Sequence, residues 1–308
     1  MTFNEGTQID PGAVRSGGGG PGPGGKIALG GGLGGLILTV VILLLGGDPG
    51  SVVGGLTGAD DTAQGPTAGT PEHCKTGADA NKFLDCRVAA TTTSLNAVWG
   101  TEFPKQTGGQ KYVKPQVVLF SGATSTGCGN ATSEVGPFYC PLDQTAYFDV
   151  TFFNELTTRF GASTGPLAQE YVVAHEIGHH LQNMLGDLGR AQQDPNGPES
   201  GAVRTELQAD CYAGIWAHYA DKQNAPGGDQ PFLKTLTDQD VQDALSAAAA
   251  VGDDRIQRKT SGRVNPEAWT HGSSEERQAW FLSGYKSGQL KGCDTFGAAD
   301  LRNPPAVR

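Results

Sequence analysis

The segment 171–180 (YVVAHEIGHH) places two histidines and a glutamate at a spacing suited to metal chemistry. On a helix, positions i and i+4 lie on one face about a turn apart, so His175 and His179 can bind one ion. Glu176 follows the first histidine and can take a proton from a metal-bound water without being a ligand. Zinc lowers the pKa of such a water and polarises a carbonyl group. The spacing therefore predicts zinc-assisted hydrolysis.

The residues around this motif narrow the class of site. The apolar segment 171–174 precedes the motif and Leu181 follows it, which is typical of a buried helix. Unpaired polar side chains are costly in such a helix, which disfavours the alternative of two histidines that share a helix by chance. Gln182 and Leu185 stand where a metzincin carries glycine and histidine, so that class is excluded.

A third ligand should come from elsewhere, because a catalytic zinc usually has three protein ligands and one open position. The segment 204–214 (RTELQADCYAG) predicts a second helix on which Glu206 and Asp210 lie at i and i+4. Glu206 can complete a His2Glu site, and Asp210 can accept the free N–H of a ligand histidine. The alternatives are an exposed acidic helix face, or Glu199 as the ligand from a Pro/Gly-rich loop.

The C-terminal part of the chain offers candidates for stabilising an oxyanion. His271 lies in the segment 270–277 (THGSSEER), a serine-containing start to a late helix. A histidine or tyrosine there can donate to the tetrahedral oxyanion of amide hydrolysis. His271 is the first choice and Tyr285 the second, and each has a structural helix cap as its alternative. His180 is rotated away from the ligand face, so we expect a surface residue or a supporting contact.

Hydrophobic periodicity predicts a few strands followed mostly by helices, which is an α+β arrangement. The region 72–308 is long enough for one catalytic domain with a substantial core. Strands are predicted over 116–120 and 146–150. Helices are predicted over 78–99, 154–160, 166–185, 203–219, 238–251 and 274–287.

The N-terminal region predicts an anchor followed by a tether. Residues 1–26 are rich in glycine and proline, and 27–47 contain no charged residue over about 20 positions, enough to cross a membrane as one helix. A cleaved signal peptide is the alternative. Basic residues precede this segment and acidic residues follow it, so 1–26 should be cytoplasmic and the domain extracytoplasmic. Residues 48–71 have the composition of a flexible linker.

Composition excludes two classes of site. The net charge is -10 and there is no Lys/Arg cluster, which argues against a nucleic-acid binder. The six cysteines include no CxxC pair, which argues against a cysteine-based zinc knuckle. An even number of cysteines outside the membrane suits disulfides, although six cysteines allow about fifteen pairings. Chain spacing favours Cys74–Cys86 and Cys128–Cys140, leaving Cys211 for Cys293.

Several separate motifs, in order, resemble the neutral zinc metallopeptidases of bacteria. The likeness covers nearly the whole chain and includes FNEGTQID (3–10), the glycine-rich segment, GPFYCP (136–141), HEIGHHLQN, ELQADCYAG, VGDDR (251–255), HGSSEERQAWF and CDTF (293–296). The resemblance implies a zincin-like fold. It also implies His175, His179 and Glu206 as metal ligands and Glu176 as the catalyst. One small departure, Arg15-Ser16 before the glycine run, affects nothing catalytic.

The function predicted from these observations is a membrane-anchored peptidase acting on proteins or peptides outside the membrane. One alternative is a non-catalytic, zinc-stabilised binding module. Glu176 argues against it, since structural zinc needs a fourth ligand rather than a base. Another is a zinc amidase acting on cell-wall amide bonds. By fold analogy, an edge strand at 132–139 or 146–150 would bind the substrate peptide as an added strand.

Overall fold

The computed structural model describes residues 3–17 and 71–307. The anchor predicted at 27–47 lies outside these residues, as does nearly all of the linker predicted at 48–71. Among the residues described, no helix combines the length and the apolar character that a membrane crossing requires.

Helices dominate this part of the chain, and the predicted α+β class is confirmed. The helices described are α1 (Gly77–Lys82), α2 (Leu84–Gln106), α3 (Phe152–Thr158), α4 (Pro166–Leu185), α5 (Gly201–Ala220), α6 (Asp238–Ala250), α7 (Asp253–Ser261) and α8 (Ser274–Ser287).

Most of these helices follow the sequence prediction. Helices α4 and α8 have the predicted bounds, and α3, α5 and α6 start and end within two residues of the predicted ones. The helix predicted over 78–99 is two helices, α1 and α2, because Phe83 adopts extended backbone between them. Helix α7 was not predicted.

A four-stranded sheet in the order β1-β2-β6-β5 packs beside the helices. Its strands are β1 (Arg15–Ser16), β2 (Gln116–Phe120), β5 (Phe138–Cys140) and β6 (Thr145–Asp149), and β3 (Ala123–Thr126) and β4 (Gly129–Thr132) form a separate hairpin. Strands β1, β2 and β6 run parallel, and β5 is antiparallel to β6. The prediction that 146–150 is an edge strand is wrong, because β6 pairs on both sides. Strand β5, which overlaps the other predicted segment, lies at the edge.

Residues 3–17 belong to the same folded body as the helices. Phe3 and Val14 are completely buried in the main hydrophobic core, and β1 extends the sheet. The side chain of Asn4 donates to the carbonyl groups of Pro231 and Leu233, at 2.9 and 3.2 Å. A Cβ at Gly77 would lie only 2.0 Å from the carbonyl oxygen of Asn4. The domain was predicted to begin at residue 72, whereas the structure packs this N-terminal segment into it.

The three predicted disulfides are confirmed: Cys74–Cys86, Cys128–Cys140 and Cys211–Cys293. The third bond joins α5 to the segment after α8, across 82 residues of sequence. Disulfides stabilise a protein mainly by restricting its unfolded chain, typically by about 2–4 kcal/mol each. They persist in oxidising compartments, so the pairing indicates a location outside the cytoplasm.

Glycines allow α5 to cross its neighbours at very short range. A Cβ at Gly284 of α8 would lie 1.9 Å from the carbonyl oxygen of Cys211, and one at Gly214 would lie 2.0 Å from that of Phe281. At the crossing of α4 and α5, a Cβ at Gly178 would lie 3.0 Å from the carbonyl oxygen of Ala209. These contacts bring the polar faces of three helices together.

We expect Gly284→Ala to lower the free energy of unfolding by about 1–3 kcal/mol, because the methyl group overpacks the α5–α8 crossing. Gly100→Ala is the matched control. Gly100 lies exposed within α2, with no atom within 4 Å of an added Cβ. That change should raise the free energy by about 0.4–1 kcal/mol. Urea unfolding followed by circular dichroism measures both, and equal stabilities of the two variants would contradict the close crossing.

Candidate metal centre

Helix α4 carries the histidine motif through the middle of the protein. It begins with Pro166 at its first position and ends at Gly186 in the left-handed conformation, both common helix boundaries. His175, Glu176 and His179 are 7 %, 7 % and 8 % exposed. The two imidazole rings lie 4.7 Å apart between centroids, so the helix presents both on one face.

Glu206 approaches this face from α5. Its Oε2 lies 3.2 Å from His175 Nε2, and its Oε1 lies 3.5 Å from His179 Nε2. Ligand atoms on one tetrahedral zinc lie about 3.3 Å apart, given zinc–nitrogen distances of about 2.0–2.1 Å. The structure therefore brings the three predicted ligands to a spacing that fits one metal ion. Two imidazoles and a carboxylate are also a donor set that suits zinc.

The second nitrogen of each histidine is held by a partner outside this trio. Nδ1 of His175 lies 2.8 Å from Asp210 Oδ1, as the sequence predicted. Nδ1 of His179 lies 2.8 Å from Gln182 Oε1, while the amide of Gln182 donates to the carbonyl of Thr205. Such contacts fix the ring orientation and leave Nε2 for a metal. Sequence reasoning missed this role of Gln182, although its i+3 spacing from His179 was a signal.

The protein groups around the trio tune its protonation. Burial lowers the pKa of His175, but Asp210 and Glu206 outweigh burial and raise it to about 10. Burial lowers the pKa of His179 to about 4. Burial also opposes ionisation of Glu206, yet His179 and His271 hold its pKa well below its ordinary value. A histidine ligand must be neutral, so a metal ion would replace the proton on His175.

Glu176 lies beside the trio and faces the main cleft. Burial raises the pKa of its carboxyl group to about 7, with the charge of Glu206 adding to the effect and that of His175 opposing it. A carboxylate with a pKa near neutrality is suited to accepting and returning a proton. Glu176 does not belong to the trio of His175, His179 and Glu206, whose ligand atoms lie close enough together to hold one metal ion.

Two pockets meet at the trio. The larger encloses about 970 Å³, including space open to solvent, and the smaller about 550 Å³; they share His179, Glu206 and His271. The walls of the larger are mostly apolar and come from the β5 region, α3, α4 and α7. Its apolar lining includes Val135, Phe138, Phe152, Phe160, Val172, Val251 and Ile256.

His271 lines both pockets, whereas Tyr285, the second candidate, lines neither. Its backbone N–H donates to Asp253 Oδ2 at 2.6 Å, and its Nδ1 lies 3.4 Å from Asp253 Oδ1. Burial lowers the pKa of His271, but Glu206 and Asp253 together raise it above its ordinary value. Tyr285 does not line the cleft; its carbonyl accepts a hydrogen bond from His218.

Two further sequence interpretations are settled by burial. His180 is only 1 % exposed, with Nδ1 2.9 Å from Tyr139 Oη and Nε2 2.7 Å from the carbonyl of Val113. The expectation of a surface residue is therefore wrong, and its supporting role is to join α4 to β5. Glu199, the alternative ligand, has a side chain 68 % exposed and lies 3.8 Å from Arg204.

Glu206→Gln should weaken zinc binding more than about 100-fold, since loss of outer contacts to ligands alone costs about 10–100-fold. Glu199→Gln is the control at the alternative position and should bind zinc like the wild type. Competition with a chelator of known zinc affinity measures both. Equal weakening in the two variants, or none in Glu206→Gln, would contradict the assignment of Glu206.

Comparison with known proteins agrees with this geometry. A family model described as "Putative neutral zinc metallopeptidase" matches residues 3–296. The uncharacterized protein Rv2575 of Mycobacterium tuberculosis is 57% identical over 261 residues, covering 84% of this chain and 86% of its own. The uncharacterized protein YpfJ of Escherichia coli K12 is 39% identical over 289 residues, covering 92% and 94%. No solved structure matches significantly. With its HExxH helix and converging glutamate, the chain belongs to the neutral zinc metallopeptidase family.

Proposed function

We propose that this protein is a zinc-dependent peptidase that cleaves peptide bonds outside the cytoplasm. The single observation that carries the proposal is the convergence of His175, His179 and Glu206, with Glu176 beside them, at the junction of two pockets. His2Glu sites with an adjacent glutamate suit hydrolysis, because three protein ligands leave one position open.

The trio, Glu176 and His271 have separate roles in the proposed reaction. Zinc, when bound by the trio, supplies a Lewis acid that polarises the scissile carbonyl and acidifies water. Glu176 accepts the proton of the attacking water and later delivers it to the leaving amine, for which a pKa of about 7 is well placed. His271 lines the same cleft and, with a raised pKa, donates to the oxyanion that develops on the carbonyl.

The shape of the cleft supports an endopeptidase that accepts apolar side chains. The two pockets share His179 and Glu206 of the trio, so a polypeptide can extend to both sides of the scissile bond. Strand β5 is the edge strand of the described sheet and lines the larger pocket, where an extended substrate can add as another strand. Burial of a large aliphatic or aromatic substrate side chain against these apolar walls contributes roughly 1.5–3 kcal/mol to the binding free energy.

The disulfides support a site of action outside the cytoplasm. Attachment to the membrane through residues 27–47 remains a sequence prediction, since those residues lie outside the described part of the chain. The partner we propose for the cleft is a protein or peptide substrate.

We expect Glu176→Gln to keep one zinc per chain and to lose at least about 10²–10⁴-fold in kcat, because the amide cannot accept the proton. Glu155→Gln, a half-exposed position on α3, is the control and should keep full activity. Cleavage of a broad peptide library and metal analysis of the same samples measure both effects.

Cleavage retained by Glu176→Gln would contradict the assigned base. Zinc bound by the wild type with no cleavage of any peptide would favour a binding module. Release of fragments from purified peptidoglycan but not from casein would favour an amidase instead.

His271→Gln should lower kcat by about 10²–10³-fold with little change in KM, because its donor acts mainly on the oxyanion. Tyr285→Phe tests the second candidate and should leave both constants unchanged. Steady-state kinetics on one good peptide separates the two residues. A larger loss in Tyr285→Phe than in His271→Gln would reverse the assignment.

A further inference from the structure

A buried arginine on α8 reaches the support of the metal centre. Arg277 is 2 % exposed, and its Nε donates to Asp210 Oδ2 at 2.8 Å while its terminal Nη2 donates to Asp210 Oδ1 at 3.0 Å. Two parallel bonds from one guanidinium fix both the position and the plane of a carboxylate. The carboxylate of Asp210 is itself completely buried.

The same carboxylate orients a predicted ligand. Oδ1 of Asp210 accepts from Nδ1 of His175 at 2.8 Å and from the hydroxyl of Tyr171. Arg277 also donates to the hydroxyl of Tyr171 at 3.2 Å and to the carbonyl of Val251 at 3.3 Å, and its Nη2 lies 3.8 Å from Oε2 of Glu206. One chain of contacts therefore runs from α8 through Asp210 on α5 to the ligand histidine on α4.

We propose that Arg277 is a positioning residue for the metal centre. By clamping Asp210, it holds the imidazole of His175 with Nε2 directed at the ligand trio. Its charge also compensates the carboxylate, which would be strongly unfavourable alone in a buried site. The proposal rests on the proposed function only in requiring that the trio binds zinc, and it holds whether or not a peptide is cleaved.

The test measures the zinc affinity of purified full-length variants by chelator competition, alongside circular dichroism. Arg277→Met and Asp210→Asn should each weaken zinc about 10–100-fold. The double variant should be no weaker than the worse single one, because both changes break the same contact. Arg204→Met is the matched control: Arg204 is also largely buried but donates to carbonyl groups of Thr295 and Ala298. It should bind zinc within about twofold of wild type.

A folded Arg277→Met with wild-type zinc affinity would overturn the proposal, as would losses that multiply in the double variant. If Arg277→Met does not fold, Arg277→Lys decides. Lysine keeps the charge but cannot hold both carboxylate oxygens, so its zinc affinity should also fall, and wild-type affinity would overturn the proposal. If the zinc affinities follow these expectations but no peptide is cleaved, the proposed peptidase function is contradicted and the role of Arg277 still holds.

Backbone hydrogen bonds join residues 3–17 to three distant parts of the body. Asn4 N donates to the carbonyl of Phe232 at 2.8 Å, Ile9 N to that of Lys75 at 2.9 Å, and Gly17 N to that of Leu119 at 2.6 Å. Phe3 is completely buried.

From these contacts we infer that residues 3–17 and the disulfide-bonded body lie in one compartment. The sequence predicted the two on opposite sides of a membrane, separated by one crossing at 27–47. A single crossing would keep them apart whichever copy of the chain supplied the segment. The buried contacts require the segment and the body to meet.

Labelling of introduced thiols tests this inference, because all six native cysteines are in disulfides. Gly6→Cys and Lys286→Cys place one exposed thiol on the segment and one on α8. Full-length variants in intact spheroplasts are treated with a membrane-impermeant maleimide before and after lysis. We expect the two thiols to show the same labelling pattern before and after lysis. Labelling of one thiol before lysis and the other only afterwards, or a mature chain lacking residues 3–17, would overturn it.

Discussion

The carboxylate of Asp210 is the meeting point of the three helices that build the site. It accepts hydrogen bonds from α4 through His175 and Tyr171 and from α8 through Arg277, while it is itself carried by α5. A buried carboxylate requires compensation from each of these donors, since burial raises the cost of its charge. Removing one donor leaves a charge without its partner and disturbs the others. The arrangement of the trio thus depends on one side chain that lies outside it.

Backbone contact makes this arrangement stiff. Helix α5 approaches α4 and α8 at glycines, so there is no side-chain layer between the helices to deform. The disulfide from Cys211, the residue after Asp210, ties the same turn of α5 to Cys293. Catalytic and metal-binding groups must hold their geometry to within about 0.5 Å, and rigid elements achieve this better than loops. Stability and site geometry therefore share the same contacts.

The sequence predicted what local spacing can encode. The HExxH pattern and the Glu206–Asp210 pair depend only on helical periodicity, and α4 and α8 follow from continuous apolar patterns with clear boundaries. Gln182 was open to the same reasoning through its i+3 spacing from His179, whereas Arg277 was not, because its role depends on which helices meet. Helix α7 was missed because Ile256 is its one buried apolar side chain, and β1 is too short to show an alternation.

His180 shows why a helical wheel failed at one position of α4. The wheel assumes one buried face, but α4 is surrounded by α2, α5, α6 and the sheet. The imidazole donates from Nε2 to the carbonyl of Val113, which leaves Nδ1 to accept from the hydroxyl of Tyr139. Asn183, three residues along α4, donates to the same hydroxyl at 3.1 Å.

These bonds join β5 to the helix that carries two of the predicted ligands. Tyr139 is the middle residue of β5. Its hydrogen bonds to His180 and Asn183 therefore hold β5 itself, and not only the loops at its ends, at a fixed distance from the trio. Burial lowers the pKa of His180, which keeps the ring neutral and able to make both contacts. A substrate strand added at β5 would then be placed relative to His175 and His179 by the helix itself. The second histidine of the His179-His180 pair thus supports the site from a different face of the same turn.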